Sequence, residues 1–306
     1  MLNKDQLELL NEIAGITCNP GGAINIRANG QLAERNVTEN INIRTKEDKP
    51  GIDIIVKAGT KGETVYIPVV IDESGMTDVV YNDFFIGEDA DVTIVAGCGI
   101  HNCGEHDSQH DGIHRFFLEK NAHIRYVENH YGSGDGNGKR ILNPVTEVYQ
   151  EEGSSCEMEM VQIKGVDSTV RTTKDKNKKD AKLVVRERLM THGSQIAESN
   201  YVTVLEGENS SADVVSRSVA RDRSYQKYVS RIVGNAACYG HTECDAILMD
   251  SARVLAVPEL DAACIDASLV HEAAIGKIAG DQLIKLMTLG LTPEEAEEKI
   301  IEGFLG

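Results

Sequence analysis

Five segments of the chain open alike, with a charged or glycine-containing turn, one small residue and then an apolar alternation. They are GEDADVTIV, EKNAHIRYV, EGSSCEMEMV, KKDAKLVVRE and NSSADVVSR, whose small residues Ala90, Ala122, Ser155, Ala181 and Ala212 fall 32, 33, 26 and 31 residues apart. A unit of that length cannot bury an apolar face alone, so the loose repeat predicts stacked strand units, a β-helix or related solenoid. A sandwich, which also yields regular short strands, is the alternative. From Ile24 to about Leu269 the text stays in this style. Runs rich in Val, Ile, Thr and Tyr, such as IDIIVKAG, ETVYIPVVI and DVVYNDFFIG, are separated by Gly, Asn and Asp. With aromatics at 5%, no Trp and 28 Gly, the core must rest on aliphatic layers joined by many turns.

Both ends read differently. Leu2, Leu7, Leu10 and Ile13 have near-helical spacing, and Asn19-Pro20-Gly21-Gly22 stops the helix they predict. At the other end GDQLIKLMTLG and TPEEAEEKIIEGFL predict two helices. Thr292, Pro293 and Glu295 supply the N-cap, the first-turn proline and the capping-box acid of the second. Their apolar stripes (Leu283, Leu286 and Met287; Ala296, Ile300, Ile301 and Phe304) pack on the β-stack or dock a partner. The predicted organisation is an N-terminal helix and turn over 1–23, a β core over 24–270 and a helical region over 271–306.

Net charge is −18, from 31 basic and 49 acidic residues, which argues against a nucleic-acid or anionic-membrane partner. No run approaches the ~18 apolar residues of a membrane span. The charged, amphipathic start lacks the apolar core of a secretory signal, which predicts a cytoplasmic protein. Its seven cysteines (Cys18, Cys98, Cys103, Cys156, Cys238, Cys244 and Cys264) are scattered and odd in number, so they are expected as reduced thiols. No pair has CxxC spacing, so any metal site must be assembled from distant segments.

Three loci carry potential chemistry. GCGIHNCGEHDSQHDGIHR, residues 97–115, gathers Cys98, Cys103, His101, His106, His110, His114, Asp107 and Asp111, a mixture able to bind Fe or Zn. His106, His110 and His114 recur every four residues and would share a helical face. In GHTECDAIL, read as a strand, Thr242, Cys244, Ala246 and Leu248 share one face while His241, Glu243 and Asp245 share the other. Cys244 then points inward, where a buried cysteine is by default a small hydrophobe. In LVHEA, His271 and Glu272 alternate faces in a strand and reach one site only where strand gives way to helix. TVRTTKDKNKKDAKL reads most simply as a solvated hairpin turn. HYGSGDGNGK lacks GxxxxGK[ST] and a βαβ context, so no nucleotide is expected on this chain.

The ending HEAAIGKIAGDQLIKLMTLGLTPEEAEEKIIEGF resembles the C-terminal signature of the SufB/SufD family, scaffold proteins of iron–sulfur cluster assembly. The resemblance continues upstream through GHTECDAIL, AHIRYVENHYG and the Gly97-Cys98 start of the His-rich stretch, and spans roughly residues 90–306. It implies a mainly β fold, a right-handed parallel β-helix with C-terminal helices, that dimerises through the β-helix. It also implies an ABC-type ATPase partner docked on those helices. The implied job is to hold nascent iron and sulfide, a transient cluster of the 4Fe–4S type, at the dimer interface. ATP hydrolysis in the partner then drives rearrangement, so this chain is not itself an enzyme. Residue by residue, Cys244 matches the cluster-building cysteine of SufB-type members, and His271 the histidine of the same site. Glu272 matches the SufB-type glutamate, and Cys98 a cysteine linked to sulfur acceptance or transfer. Cys103, Cys238 and Cys264 join the candidate ligand set.

The chain also departs from the family pattern. It has little of the longer N-terminal region, Val270 stands where a second acid is frequent, and Cys103 lies in an insertion-like, ligand-rich stretch. These departures suggest a minimal member acting as a homodimer with two ATPase subunits, and they weigh against sulfur passing by a tunnel from Cys98 to Cys244. Two other readings remain open: a metalloprotein or metalloenzyme built on residues 98–114, and a metal-free structural regulator of the ATPase.

Overall fold

The computed structural model describes residues 2–17 and 20–306. Cys18, and Asn19 of the expected helix stop, lie outside the described residues. Helix α1 (Lys4–Ala14) opens the chain, and α2 (Gly280–Met287) and α3 (Pro293–Leu305) close it. Between them lie two ten-stranded sheets. The first runs, in spatial order, β2 (Gln31–Asn36), β1 (Ala23–Ala28), β5 (Lys61–Ile71), β7 (Asp91–His101) and β9 (His123–Ser133). It continues with β12 (Ser155–Lys164), β14 (Lys182–Thr191), β16 (Ser211–Ala220), β18 (Tyr239–Leu248) and β20 (Ser268–Gly276). The second runs β19 (Arg253–Ala262), β17 (Tyr225–Gly234), β15 (Ile196–Leu205) and β13 (Ser168–Asn177). Next come β10 (Arg140–Leu142) with β11 (Val145–Gln150), then β8 (Ser108–Leu118), β6 (Thr77–Ile86), β4 (Gly51–Val56) and β3 (Ile41–Thr45).

From β5 onward every pairing is parallel and the chain alternates between the sheets, β10 and β11 together making one interrupted strand, so each coil lays one strand on each face. This is the expected parallel β-solenoid. The register fixes its period: Asp91, His123, Ser155, Lys182, Ser211, Tyr239 and Ser268 stand in one row across the first sheet. The small residue precedes that row, so it is Ser154 and Ser210, not the expected Ser155 and Ala212, that align with Ala90, Ala122 and Ala181. Each is buried, and each N–H donates to the carbonyl three residues back (Gly87, Glu119, Glu151, Lys178 and Gly207). The residue before each is left-handed, with φ of 55° at Asp89, 54° at Asn121, 73° at Gly153, 57° at Asp180 and 58° at Asn209. Asn, Asp and Gly are the residues that tolerate this conformation. That turn is the physical content of the repeat.

The core lies between the sheets. Phe84 and Phe116 stack at 4.3 Å, Tyr126 meets Phe116 edge-on at 5.1 Å, and aliphatic rows continue along the axis. Two expectations need correcting. TVRTTKDKNKKDAKL is not a hairpin: β13 and β14 belong to different sheets, and only the short connection between them turns. Its polar residues Thr169, Arg171, Thr173, Asp175 and Asn177 face inward and are buried. Nor do His106, His110 and His114 share a helix: residues 108–118 are strand β8, which buries His110 and His114 and leaves His106 outside in the preceding turn.

The two ends differ. At the N-terminal end β2 pairs antiparallel with β1 and β3 antiparallel with β4, one at the edge of each sheet, and they close the stack. At the C-terminal end β19 and β20 have no further neighbour among the described residues, and their side chains are largely exposed. Helix α1, N-capped by Asn3 with Gln6, packs Leu9 and Ile13 over Gly97 and Gly99 of β7. A Cβ at Gly97 would lie 2.7 Å from both Ile13 Cβ and the Ile13 carbonyl oxygen. Gly97→Val is therefore expected to lift α1 off the sheet at a cost of about 1–3 kcal/mol. Thermal melting and faster proteolysis near Ala14 check this. Helix α3 has the expected Thr292/Glu295 capping box and seats Ile301 and Leu305 against Val219. Helix α2 buries no residue and leaves Ile284 and Met287 exposed.

Candidate functional site

Inward positions of a solenoid are normally apolar, yet here a band of polar side chains occupies them. It begins at Cys98 of β7, buried beside His110 of β8 and His130 of β9. Burial alone pushes the Cys98 thiol up. The positively disposed imidazoles of His110 and His130 outweigh that and bring it down to about 7. His110 is supported from behind by Asp78 at 3.1 Å. Despite burial, the neighbouring thiolate and Asp78 raise His110 to about 10, and Glu128 with Cys98 raises His130 to about 9. Cys98 is accordingly expected to titrate near pH 7. The ultraviolet thiolate absorbance of wild type minus Cys98→Ser should rise there, and a step only above about pH 8.5, the ordinary thiol value, would contradict it.

The band continues along the axis. His130 Nε2 lies 3.6 Å from Glu128, which accepts the Tyr126 hydroxyl at 2.9 Å and an ion pair from Arg171. Arg171 also reaches Glu187 at 3.6 Å. Glu187 in turn accepts hydrogen bonds from Ser199 at 2.7 Å and Ser216 at 2.6 Å. Register explains the alignment: Glu128, Met160, Glu187, Ser216 and Cys244 form one row across the first sheet, and Arg171, Ser199 and Tyr228 one row across the second. Near the open end Tyr228 and Ser230 both hydrogen-bond the Thr242 hydroxyl, at 2.8 and 2.9 Å. A small interior cavity there is lined by Glu187, Ser199, Ser216, Tyr228 and Cys244.

Thr242, Cys244 and Ala246 are buried on the inner face, as the alternation of GHTECDAIL predicts. Burial first, then the charges of Glu187 and Asp245, push the Cys244 thiol up to about 12, so this cysteine is protonated at neutral pH. His271 pairs with Thr242 in register and shares the inner face. Its Nδ1 is buried with no hydrogen-bond partner, and burial lowers its pKa. Glu272 falls on the outer face, because β20 runs on as strand through Gly276. The fold thus brings Cys244 and His271 to one face of the last coils and turns Glu272 away from both within the chain.

The other expected ligands are dispersed. Cys238 is buried at the turn into β18 with Cys264 close by, and burial raises its thiol pKa. Cys103 is exposed and lies 3.1 Å from His101 Nε2. His110, His130, Glu128, Arg171 and Glu187, which sequence reasoning missed as a connected set, are legible only through register. Their signal is polar residues at inward strand positions, repeating with the coil.

The chain's residues 70–304 match the family model described as "SUF system FeS cluster assembly, SufBD core domain". An "Iron-sulfur cluster assembly SufBD family protein" of Archaeoglobus fulgidus is 31% identical over 230 residues, 74% of this chain and 60% of that protein. One of Methanocaldococcus jannaschii is 29% identical over 273 residues, 88% of this chain and 85% of its own length. A third, from Methanothermobacter thermautotrophicus, is 28% identical over 256 residues, covering 77% of this chain and 57% of the relative. The chain thus spans a little over half the length of two of these relatives. Among the described residues no helix is long and apolar enough to cross a membrane. With the family model covering most of the solenoid and both C-terminal helices, the chain belongs to the SufBD family, whose role is in iron–sulfur cluster assembly.

Proposed function

We propose that this chain is a non-enzymatic scaffold of the cytoplasm on which sulfide and iron are brought together at Cys244 and His271. The observation that carries the reading is the continuous polar band, ion-paired at its centre, that joins the acidified Cys98 to Cys244 through the interior of the solenoid. A thiolate near pH 7 is the form that takes the outer sulfur of a donor persulfide: it attacks that sulfur, and the donor cysteine leaves as thiolate. The band favours this persulfide sulfur passing inside the solenoid toward Cys244, against the expectation drawn from the sequence departures, and an external two-electron donor, a dithiol or a reduced flavin, then reduces it to sulfide and frees the cysteine thiolate. Cys244 and His271 then face it at the open end. A site with few thiolates, completed by imidazole or carboxylate, holds a cluster loosely, which suits a scaffold that must release its cargo.

The partners follow from the two unfinished surfaces. The bare edges of β19 and β20 suit a second copy of the chain, which would bring a second Cys244 and His271 toward the same interface. The exposed apolar side of α2, with Ile284 and Met287, suits the ABC-type ATPase, whose hydrolysis cycle would move the two copies relative to each other. The reading that puts a metal site in residues 98–114 is disfavoured because Cys98, His110 and His114 point inward while Cys103 and His106 stay outside. The test is iron and acid-labile sulfide per chain, measured on protein co-expressed anaerobically with its candidate ATPase. Sulfide with iron supports the scaffold. Iron or zinc without sulfide would return the residues 98–114 reading, and neither metal nor sulfide with intact ATPase stimulation would make the chain a structural regulator.

A further inference from the structure

The outer face of the last coils carries a second constellation, on the opposite side of the sheet from Cys244. His241, Glu243 and Glu272 each present one ligand atom, and the three atoms lie within 4.8 Å of one another. The sheet positions them. Glu243 and Glu272 are direct neighbours across β18 and β20, and His241 precedes Glu243 by two residues, so it shares the face. His241 Nδ1 lies 2.7 Å from Asp213 of β16, while Nε2 faces Glu272 at 3.8 Å. Asp213 is itself held by an ion pair with Arg186. A carboxylate on one ring nitrogen fixes the tautomer: Nδ1–H donates to Asp213, and the Nε2 lone pair points toward Glu272.

Two carboxylates beside one neutral imidazole repel each other, and a cation, either a proton on the imidazole or a metal ion between the ligand atoms, relieves that repulsion. The neighbouring side chains balance only part of this charge: Arg186 is engaged with Asp213, and Arg217, which stands opposite Asp245, also bears on Glu243, while Glu272 has no Arg or Lys paired with it among the described residues. An open cleft of about 620 Å³, lined by Asp213, His241 and Glu243 among others, gives the position access from solvent.

We infer that His241, Glu243 and Glu272 bind one divalent first-row cation, with Asp213 orienting His241. One imidazole and two carboxylates, with no thiolate, select borderline-hard ions of the Fe²⁺, Mn²⁺ and Zn²⁺ class. Resting on the scaffold reading above, in which iron is the cargo, the ion is ferrous iron. Three protein ligands leave coordination positions to water, so the ion is bound to be passed on. The site lies one strand's thickness from Cys244 and beside the open end, where iron must meet sulfide. His241 and Glu243 are thereby given a role separate from that of Cys244.

The test is titration of the metal-free full chain with ferrous ion under argon, read by calorimetry, and with Co²⁺, read by its visible absorption bands. One ion per chain is expected. His241→Gln and Glu243→Gln should each weaken binding by at least about tenfold, and Asp213→Asn, which touches no ion, by about 10–100-fold. Circular dichroism checks that the variants are folded, and Glu88→Gln, an exposed acid in an early turn far from the site, should bind ferrous ion like wild type. Absence of saturable binding in wild type, or wild-type affinity in both His241→Gln and Glu243→Gln, overturns the site. If Cys244→Ser loses sulfide while wild type binds no ferrous ion, the scaffold reading stands and the site falls. Wild-type ferrous binding that His241→Gln abolishes, together with sulfide kept by Cys244→Ser, gives the reverse.

Discussion

Cys244→Ser protein is expected to fold, to keep its solenoid circular dichroism and to lose essentially all of the acid-labile sulfide that wild type retains. The substitution is nearly isosteric at a position 1% exposed, and its hydroxyl lines a cavity with Ser199, Ser216 and Tyr228, so the stability cost stays at ~1–3 kcal/mol. The loss of sulfide follows from chemistry rather than packing, because an alkoxide cannot replace a soft thiolate toward iron and sulfide. The protonated state of Cys244 adds a condition. With burial and Glu187 holding the thiol up at about 12, the proton leaves only when iron or sulfur arrives, so cluster retention should strengthen as pH rises. Sulfide and iron assays on wild type and variant across pH 6 to 9 check both parts (roughly the span over which thiol ligands compete with protons). A variant that retains cluster like wild type removes Cys244 from the site.

The second large effect is on stability. Arg171 is buried and faces both Glu128 and Glu187, and it is the strongest influence opposing the burial penalty on Glu128, holding that carboxyl well below its usual range. Arg171→Met fills similar space but leaves two buried carboxylates without their shared cation. A cost of about 3–5 kcal/mol is expected, read as a lower denaturant midpoint. Glu128→Gln on the Arg171→Met background should restore part of it, since the amide carries no charge. The pH sign follows from the depressed Glu128. Its contribution is complete above the unfolded value of about 4.3 and is lost as pH falls from there toward the folded value. Wild type should therefore lose stability in acid more steeply than the double variant. A single variant that melts within about 1 kcal/mol of wild type would show that the polar band is not held by this ion pair.

The fold was largely legible because the coil repeats a turn, and a turn with a left-handed Asp, Asn or Gly followed by a small residue leaves a mark in the text. Small residues sit at both Ser154 and Ser155, and at Ser210 as well as Ala212, which is why the phase slipped there while the period did not. The inward face of Cys244 and the capping of α3 were legible for the same reason: each is decided within a few residues. What connects Cys98 to Cys244 was not legible. Arg171 lies in a lysine-rich run that reads as solvated, and only the parallel register sets it against Glu128, 43 residues away. Likewise the pairing of Glu272 with Glu243 rather than with Cys244 depends on β20 continuing as strand, which a His-Glu pair beside a helix does not announce.

The unequal ends of the stack set a limit on growth. A solenoid with two bare ends can add copies head to tail without stopping, as fibrous β-structures do. Here the antiparallel β2 and β3 reverse the strand direction at one end, and β2 is exposed and rich in polar and charged side chains (Gln31, Glu34, Arg35, Asn36). Among the described residues only the other end offers a parallel edge, and two such edges facing each other use each other up. In the proposed dimer each copy's bare edge beside Cys244 is covered by the other's, so the assembly expected of this architecture counts to two instead of polymerising.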